Sequence, residues 1–511
     1  MFIPMSKLIP SDLILIFNAL KIFVMKNKFF YIILSAFFLT VSCKKQLEDK
    51  IYDRLVPANY FQNDGEAISA ANAIYGALNG TGWDYYGAGS ERIQMLSDAT
   101  TDEFAATAGA GYYPDLNNFN WKAPDYSFMI NWRNAYKGIS YCNYILQFLP
   151  ASTKVSDATK KRVIAEAKTG LGLFYRDLVE LFGDVPLIKS FGEGITSSPS
   201  RSAANDVLNY AADQLKAAVP DLPASYGSGD NGRFTKGAAN ALLCKIYLDQ
   251  KNWDGVISAA GSIISGGYQL DQAGYANLFF PDNQNNNEFI LVKQAYPDFN
   301  TGNTMPTYCL PPDYQLPAGV SIQIWNAYRI RRAFYESFDP ADSRRALIVD
   351  HYPNTSGAIT TIAPPGDVIC MKYAFDSKAF IVFGTSDMPL IRLADIILAK
   401  AEALNQKNGP TQESIDLINQ IRDRAFNHDI TKYKKLSDFS SKDALKDWIL
   451  KERGWELYFE GHRRMDLIRN GKFLEMATAR GALDVSATRI LFPIPQSEID
   501  INSKLVQNPG Y

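Results

Sequence analysis

The sequence has little of the two residue types on which metal centres and hydrolytic sites most often depend. Only three histidines and five cysteines occur among 511 residues. After the first cysteine, Cys43, the others lie far apart and form no C-x-x-C pair, so neither a zinc site nor a disulfide-rich scaffold is expected. They are Cys142, Cys244, Cys309 and Cys370. A single disulfide among these four stays open if the chain resides in an oxidising compartment.

Neither sign of charge dominates, and the usual catalytic motifs are missing. The 52 basic and 54 acidic residues give a formal net charge of −2, with no long run of one sign. Since nucleic-acid binding requires a basic stripe or patch, we expect no nucleic-acid partner. The sequence also shows no phosphate loop, nucleophile elbow or metal-ligand motif. Aromatic residues are plentiful instead, with 28 tyrosines and 30 phenylalanines, which favours a binding surface or a large core.

The apolar run near the amino terminus is too short to span a membrane. Lys26 and Lys28 precede the uncharged segment 29–41, whereas a spanning helix needs about 20 apolar residues. A basic start, a short apolar core and small residues before a break are typical of a secretory signal. Cys43 stands at that break, and the site resembles the lipobox of bacterial lipoproteins, although Thr40 replaces the usual aliphatic residue.

The lipobox resemblance implies that the Cys43 thiol is acylated and that this residue becomes the new amino terminus. We therefore predict an upstream start extension at 1–24, a lipoprotein signal peptide at 25–42, and a lipid anchor with its tether at 43–57. Two or more acyl chains hold a protein stably on a membrane surface. The alternatives are a plain signal peptide with a chance cysteine, and a two-segment membrane anchor that includes residues 1–24.

Apolar residues at steps of three and four predict amphipathic helices along much of the remaining chain. The clearest helix lies at 161–182 and ends at Gly183. Two shorter helices, at 235–250 and 253–267, are joined by a tight connection and alternate small with large residues, as TPR-like helical hairpins do. Further helices are predicted at 390–406, 411–426 and 440–470.

The segment 268–388 has a different character, because it is rich in Asn, Pro, Gly and Tyr and shows little periodicity. Loops this long in a compact domain are usually functional or disordered. The shorter stretch 79–90 has a similar composition. We predict a mainly α-helical fold, with a TPR-like scaffold at about 58–267 and 389–475, a loop-rich ligand face at about 268–388 and a C-terminal tail at 476–511.

Five segments resemble the SusD/RagB family and occur in the order typical of that family. They are ANYFQNDGEAISAANAIYGAL at 58–78, YRDLVELFGDVPLI at 175–188, PLIRLADIILAKAEALN at 389–405, KERGWELYFEGHRRMDLIRNG at 451–471 and LFPIPQSEIDINSKLVQNPGY at 491–511. Together with the lipobox, the resemblance runs from Cys43 to Tyr511 and indicates a single domain at 58–511. Arg464 departs from the pattern, since many family members carry an aromatic residue there.

The family resemblance implies a lipoprotein of the outer membrane that faces the cell exterior and is held in the lipid by acylated (palmitoylated) Cys43. Most family members bind glycans and sit like a lid on a SusC-like TonB-dependent transporter, for which they capture oligosaccharides. They are not enzymes and need no cofactor, although some hold a structural calcium ion. We expect the same of this chain, and the identity of its glycan stays open.

Aromatic residues in loop-like sequence are the predicted ligand contacts. The flat CH faces of pyranose rings stack on aromatic rings, and binding residues concentrate in loops. The candidates, with polar neighbours that would donate or accept hydrogen bonds, are Trp83, Asp84, Tyr85, Tyr86, Trp121, Tyr296, Tyr314, Trp325 and Asn326. Each aromatic candidate has a competing interpretation as a core residue, because large aromatic side chains are commonly buried.

The segment EGHRRMD contains the only grouping that reads as an acid/base cluster. Glu460, His462 and Asp466 have the chemistry for hydrolysis if they face a sugar. The alternative, which we favour, is that they form ion pairs with neighbouring charges on rigid helices. Two other functions remain as alternatives to glycan capture: a surface glycan hydrolase, and a TPR-like scaffold that binds only protein or peptide.

Overall fold

The computed structural model describes residues 60–79, 93–107, 110–111, 113–298 and 301–511. Phe61–Tyr511 forms one compact unit. The predicted lipid anchor, Cys43, and the aromatic patch at 83–86 lie outside the described residues, so both stay predictions from the sequence.

Helices make up most of the regular structure in the described ranges. In chain order they are α1 (Asp64–Asn79), α2 (Ile93–Asp98), α3 (Tyr113–Asn118), α4 (Tyr126–Phe148), α5 (Asp157–Phe182), α6 (Glu193–Thr196), α7 (Ala204–Ala218), α8 (Lys236–Asp249), α9 (Trp253–Ile264), α10 (Met305–Cys309), α11 (Arg332–Glu336), α12 (Leu393–Asn408), α13 (Gln412–Ala425), α14 (Lys442–Leu457), α15 (Arg463–Arg469), α16 (Phe473–Ala479) and α17 (Gln496–Ile501). Within these ranges no helix has the length and apolar character that crossing a bilayer requires.

The strands are short and pair only in twos within the described chain. They are β1 (Phe104–Ala106), β2 (Phe289–Lys293), β3 (Tyr328–Ile330), β4 (Ile348–Val349), β5 (His351–Pro353), β6 (Ile359–Thr361), β7 (Ile369–Cys370) and β8 (Met388–Arg392). The antiparallel pairs are β1 with β3, β2 with β8, β4 with β7 and β5 with β6. Three of these four pairs join strands that are distant in sequence.

Helix α5 shows how local sequence signals set the scaffold. Ser156 caps its start by accepting a hydrogen bond from a backbone amide, and Gly183, with φ at 71°, ends it. The buried side of α5 packs against α4 and α7. A Cβ at Gly138 of α4 would lie 2.1 Å from the ring of Phe174 on α5. Glycine therefore permits the close approach of these two helices.

The predicted helical hairpins are present, and the mainly α-helical fold is confirmed. Thr235 and Asn252 cap α8 and α9 by accepting hydrogen bonds from amides in the first turn of each helix. The two helices pack on each other, and α9 also packs on α12. A capping box between Thr411 and Ser414 starts α13. Small, well-capped helices thus stack side by side, as the TPR-like pattern predicted.

The single helix predicted at 440–470 is wrong in its second half. Helix α14 begins after the cap residue Ser441 and ends at Leu457, and α15 is a separate helix that begins at Arg463. Apolar periodicity runs through the whole segment, so the pattern alone gave no sign of the interruption.

Two buried carboxylates explain why the helix stops there. Phe459 and Gly461 adopt left-handed conformations, with φ at 57° and 82°. Their amides donate to the Glu103 and Asp98 carboxylates at 3.0 Å each. Because a helix end leaves backbone groups without helical partners, these two carboxylates make the interruption tolerable inside the core.

The segment 268–388 folds around a small core of its own. Strands β3 to β7 lie within it, together with β2 and the one-turn helix α10. Its buried centre is formed by Leu310, Tyr352 and Ile369. The predicted lack of long regular elements is therefore correct, but the segment is held by packing and short strand pairs.

Candidate functional site: an exposed aromatic surface

The Glu460 carboxylate, one member of the suspected acid/base cluster, is fully enclosed by cations. It accepts hydrogen bonds from the Lys372 ammonium at 2.6 Å and from the Arg392 guanidinium at 2.8 Å. Burial would raise the pKa of Glu460, but the two cations lower it below its usual value. A carboxylate held in this way cannot face a sugar as a general acid.

Asp466 is also held by cations, and His462 lies buried beside Lys245. Asp466 accepts from Arg453 at 2.7 Å and from Arg469 at 2.9 Å. Burial and the neighbouring Lys245 lower the pKa of His462 to about 3, so its ring is neutral at physiological pH. The cavity that His462 and Glu460 border is small, with a volume of about 40 Å³. The geometry supports the ion-pair interpretation for Glu460 and Asp466, whereas His462 is buried and neutral.

Arg392 lies at the centre of the buried network that this cluster belongs to. Its guanidinium bonds to Glu288 at 2.8 Å, to Glu456 at 2.6 Å and to Glu460 at 2.8 Å. Arg344 bonds to Glu456 from another side at 2.9 Å. Since Glu288 and Arg344 lie in the segment 268–388 and Glu456 lies in α14, the network joins the helical scaffold to the loop-rich segment.

The predicted ligand contact at Trp121 is wrong. Its side chain is fully buried, with its ring centroid 4.8 Å from that of Phe119 and 4.9 Å from that of Phe492. Its indole N–H donates to the Tyr511 hydroxyl at 2.5 Å. The competing core interpretation applies, because aromatic neighbours from the C-terminal tail close over it.

Trp325 lies on the surface, as predicted for a ligand contact. Ile322 and Ile324 pack inward on the core of the loop-rich segment, and the alternating side chains of Gln323 and Trp325 face outward. Trp325 is 43% exposed. Its ring contacts Tyr308 at a centroid distance of 5.2 Å. The indole thus keeps an open face while its other side is supported.

Asn326, the polar neighbour of Trp325, has a positioning role in this structure. Its φ is 50°, its side-chain oxygen accepts a hydrogen bond from the Arg329 guanidinium, and its carbonyl accepts from the Thr107 hydroxyl. These bonds engage the side-chain oxygen and the backbone carbonyl of Asn326 and fix the turn that follows Trp325.

A tight hairpin beside Trp325 carries two exposed apolar residues that the sequence reasoning missed. Phe380 and Phe383 exchange both backbone hydrogen bonds, at 2.9 and 2.8 Å, so Ile381 lies at the tip of a two-residue turn. Phe380 is 53% and Ile381 49% exposed. The Ile381 carbonyl accepts from the Gln323 amide at 2.9 Å, which places the tip next to the segment that carries Trp325.

Ile381 adopts φ at 56°, a region in which a β-branched residue is an outlier. Such strain usually persists where function requires it. The run AFIVF, 379–383, resembles a buried strand in sequence, which is why the exposure was not predicted. We call Trp325, Phe380 and Ile381 together the aromatic surface.

Tyr296 lines a separate cavity of about 230 Å³ near the end of β2. It is 50% exposed, and its hydroxyl donates to the Gln294 side chain at 3.2 Å. The opposite wall includes Arg233, whose guanidinium donates to Asn72 at 2.7 Å and lies 5.6 Å from the ring of Tyr75. The cavity therefore offers aromatic faces and amide groups close together.

A second cavity, of about 370 Å³, shares the Arg233 loop and part of β2 with the first. Tyr226 and Tyr268 line it together with the asparagines at 285–287. The two cavities form one polar and aromatic groove along β2, which we call the β2 groove.

Asp387 holds the loops that border the β2 groove. Its carboxylate accepts hydrogen bonds from the Asn285 amide at 3.1 Å and from the Ala295 amide at 3.0 Å. Burial raises the pKa of Asp387 to about 6, although the two amides act in the opposite direction. Its charge state therefore changes in a mildly acidic pH range.

Tyr314 packs mainly against neighbouring aromatic rings and contributes little exposed surface of its own. Its ring stacks on Tyr352 at 5.8 Å with an interplanar angle of 19°, and it also contacts Phe375. It packs half-buried against the core of the loop-rich segment, which leaves a smaller exposed area than at Trp325 or Tyr296.

Among the described residues, no group of three or more His, Cys, Asp or Glu side chains is placed to hold a metal ion. The structural calcium ion that the family resemblance implied stays a prediction.

Two family models match the chain. One, described as the SusD family, matches residues 360–511, and the other, described as starch-binding associating with the outer membrane, matches residues 68–248. Both halves of the helical scaffold are therefore recognised, and the two matches leave out most of the loop-rich segment.

Individual proteins resemble the chain over most of its length. SusD-like protein P38 of Formosa agariphila is 41% identical over 436 residues, which is 78% of this chain and 82% of the relative. The starch-binding protein SusD of Bacteroides thetaiotaomicron is 24% identical over 472 residues, 78% of this chain and 81% of the relative. Surface glycan-binding protein A of Bacteroides thetaiotaomicron in complex with laminarihexaose has a TM-score of 0.72 at 21% identity and covers 87% of this chain and 99% of that one.

The described chain is thus a helical-hairpin scaffold that presents aromatic side chains on an irregular, loop-built face. The chain belongs to the SusD family, as the motifs in its sequence predicted.

Proposed function

We propose that this chain is a cell-surface glycan-binding protein that captures oligo- or polysaccharide for import. The observation that carries the proposal is the aromatic surface, in which Trp325 stands exposed beside Phe380 and Ile381. Membership of a family with starch-binding and glycan-binding relatives supports it. The proposed role is binding without catalysis, because Glu460 and Asp466 are held in buried ion pairs and His462 is buried and neutral.

Sugar recognition at such a surface needs flat apolar area with polar groups at its edge. An indole supplies a large, rigid face at little cost in conformational entropy. Gln323, two residues before Trp325, is also exposed and is a candidate to supply such a polar group. The β2 groove, with Tyr296 and Arg233, is the second candidate contact region, and the predicted patch at 83–86 is a third.

The location we propose is the outer face of the outer membrane, with acylated Cys43 as the anchor and a SusC-like TonB-dependent transporter as the partner. The family model described as associating with the outer membrane supports this location. The signal-like segment at 25–42 and the cysteine directly after it support lipid attachment. The transporter partner rests on the family resemblance.

Replacing Trp325 tests the proposal. The soluble chain from Lys44 onward is run in native gels that contain single polysaccharides, including starch and laminarin, and each mixture is checked for released sugars. In a gel that retards the unsubstituted chain, Trp325→Ala should weaken binding about tenfold, because a central aromatic contact is worth 1–2 kcal/mol or more.

Tyr126→Ala is the matched control, since Tyr126 is 54% exposed but lies at the start of α4 in the helical scaffold. It should leave retardation unchanged. Equal retardation of the Trp325 variant and the unsubstituted chain would remove the aromatic surface from the proposal. Released sugars would favour a hydrolase, and no retardation by any glycan would favour a peptide-binding scaffold.

A further inference from the structure

Two of the four cysteines in the described chain lie against each other. Cys309 ends α10 and Cys370 ends β7, and these two elements pack together. The Cys309 and Cys370 side chains influence each other electrostatically across this contact, and both residues are almost fully buried. Both are free thiols in this structure.

The pKa values of the two thiols are shifted in opposite directions. Burial and the contact with Cys370 raise the pKa of Cys309. Burial acts in the same direction on Cys370, but the contact with Cys309 and the neighbouring Lys372 lower its pKa below the usual value. These shifts agree with the packing of α10 on β7, which brings the two cysteines to the same contact.

The other two cysteines are different. Cys142 in α4 lies where the helix faces Gly170, and the Cys244 sulfur in α8 lies 3.9 Å from the Val256 carbonyl. Both thiols are buried and strongly resist ionisation, since burial raises their pKa values well above the usual range. They serve as internal controls for any effect that is specific to the pair.

We propose that Cys309 and Cys370 form an intramolecular disulfide in the mature protein. The bond would attach the end of α10 to β7, beside the buried residues Leu310 and Ile369. The proposal rests on the export of the chain that is part of the proposed function, because disulfides persist in oxidising compartments outside the cytoplasm.

The disulfide would fix the support of the aromatic surface. The Thr307 carbonyl accepts from the Trp325 amide at 2.9 Å, and the Tyr308 carbonyl accepts from the Ala327 amide at 2.7 Å. Both carbonyls belong to the helical turn that ends at Cys309. On the other side, Lys372 follows Cys370 by two residues and enters the buried ion-pair network. One covalent bond would therefore tie the Trp325 segment to the rigid interior.

The reaction is a two-electron oxidation by a protein disulfide of the thiol–disulfide exchange class. One cysteine, as the thiolate, attacks the acceptor disulfide and releases one acceptor thiolate. The second cysteine then attacks the mixed disulfide, which forms the Cys309–Cys370 bond and releases the second acceptor thiolate. The two protons of the cysteines pass to the acceptor, which leaves as a dithiol. Exchange must precede closure of the core, because both sulfurs are buried in the folded chain.

Differential alkylation tests the proposal on the full chain made with its own signal. Protein from the membrane fraction is denatured and alkylated with and without reductant, then analysed by intact mass and peptide mapping. We expect two more labelled cysteines after reduction, and a linked peptide pair that contains Cys309 and Cys370. Complete labelling without reductant would overturn the proposal, and so would a linkage that involves Cys142 or Cys244.

Single cysteine-to-serine variants test which cysteines form the bond. Cys309→Ser and Cys370→Ser should each abolish the difference between reduced and unreduced samples, whereas Cys142→Ser and Cys244→Ser should retain it. The measurement on the unsubstituted chain stands even if a variant fails to fold. A chain found in the cytoplasm would contradict the export proposal. In that case, refolding in a glutathione buffer tests whether the two cysteines form a disulfide. Selective oxidation of Cys309 and Cys370 supports the disulfide, and the absence of that oxidation overturns it.

Discussion

Glu460 shows how much depends on single charges inside this protein. It is fully buried and bonded to both Lys372 and Arg392. Moving an ion out of water is expensive, and only well-placed partners offset that cost. The loss of one member leaves the others as buried, uncompensated charges, so the network amplifies the effect of one substitution.

We expect Glu460→Gln to lower the free energy of unfolding by about 3 kcal/mol, because Lys372 and Arg392 would lose their shared anion. The matched control is Glu413→Gln, which breaks a 2.8 Å ion pair with Lys400 at a carboxylate that is 57% exposed. Exposed pairs contribute about 0–1 kcal/mol. Urea unfolding followed by circular dichroism measures both, and equal effects of the two variants would refute a stabilising network.

Asp387 makes a pH-dependent contribution at the residue scale. Its folded pKa of about 6 lies above the unfolded value near 3.8. A group with a raised pKa contributes stability that is fully present below the unfolded pKa and is lost as the pH rises through the folded pKa. From pH 4 to pH 7 the unsubstituted chain should therefore lose up to about 3 kcal/mol relative to Asp387→Asn.

Urea unfolding at pH 4, 5, 6 and 7 measures this difference between the two chains. Other titrating groups, including His462, are present in both and cancel in the comparison. A constant difference across the range would show that Asp387 does not titrate there. The Asn285 and Ala295 amides would then be the stronger influence on its charge.

Exposure could not be read from the sequence at single aromatic residues. Trp121 and Trp325 both stand in loop-like sequence, yet Trp121 is covered by Phe492 and Tyr511 from the far end of the chain. Trp325 stays exposed because Ile322 and Ile324, which precede it in the alternation, pack against the core of the loop-rich segment. The local composition indicated which aromatic residues were candidate ligand contacts. Contacts with residues distant in sequence determined whether each of their side chains is buried or exposed.

At the scale of elements, the 380–383 hairpin combines exposure with backbone strain. Ile381→Gly should stabilise the protein by about 1 kcal/mol, because glycine adopts positive φ without steric conflict. The same change should weaken glycan retardation, since it removes the apolar side chain next to Trp325. Thermal unfolding and affinity electrophoresis of one preparation measure both effects.

Ile359→Gly is the control for this element. Ile359 lies in β6, is 63% exposed and has no positive φ. Glycine there should destabilise the protein by up to about 1 kcal/mol, as expected in a strand, and leave retardation unchanged. A loss of stability at both positions would contradict the assignment of strain to Ile381.

Some helix ends are marked by a clear local sequence signal, and others are not. Thr235 and Gly183 mark an end by their own chemistry, through a hydroxyl cap and a left-handed conformation. The interruption after Leu457 has a weaker local signal: Gly461 is left-handed, but so is Phe459, a residue type that does not mark such a turn. Its stabilising partners, Glu103 and Asp98, lie more than 350 residues away in sequence, so local pattern reasoning extended the helix too far.

At the scale of the whole molecule, lipid attachment and folding should be separable. Cys43→Ala is expected to leave the fold intact, because the compact unit begins at Phe61, and to release the protein from membranes, since the acyl chains supply the anchoring free energy. Membrane fractionation with a circular dichroism spectrum of each fraction measures this. Recovery of the variant in the outer membrane would show that another feature anchors the chain.

The family resemblance predicted the architecture of the whole molecule more reliably than its ligand contacts. Scaffold motifs such as 389–405 and 451–471 form buried helices whose packing restricts their residues. The ligand face is built from irregular segments, where a tip such as Phe380 and Ile381 can be exposed without a recognisable pattern. The glycan contacts must therefore be found by measurement on this chain.

The carboxylates that complete the interruption after α14 have a consequence for synthesis and export. The Phe459 and Gly461 amides form hydrogen bonds with carboxylates that lie 356 and 363 residues earlier in the chain. Arg392 likewise forms ion pairs with Glu456 and Glu460, which are made after it. Until residues 456–461 are made, the charges that they meet have no partner to offset the cost of leaving water. The buried network can therefore close only late in synthesis, and a chain exported before that point would carry these charges in water.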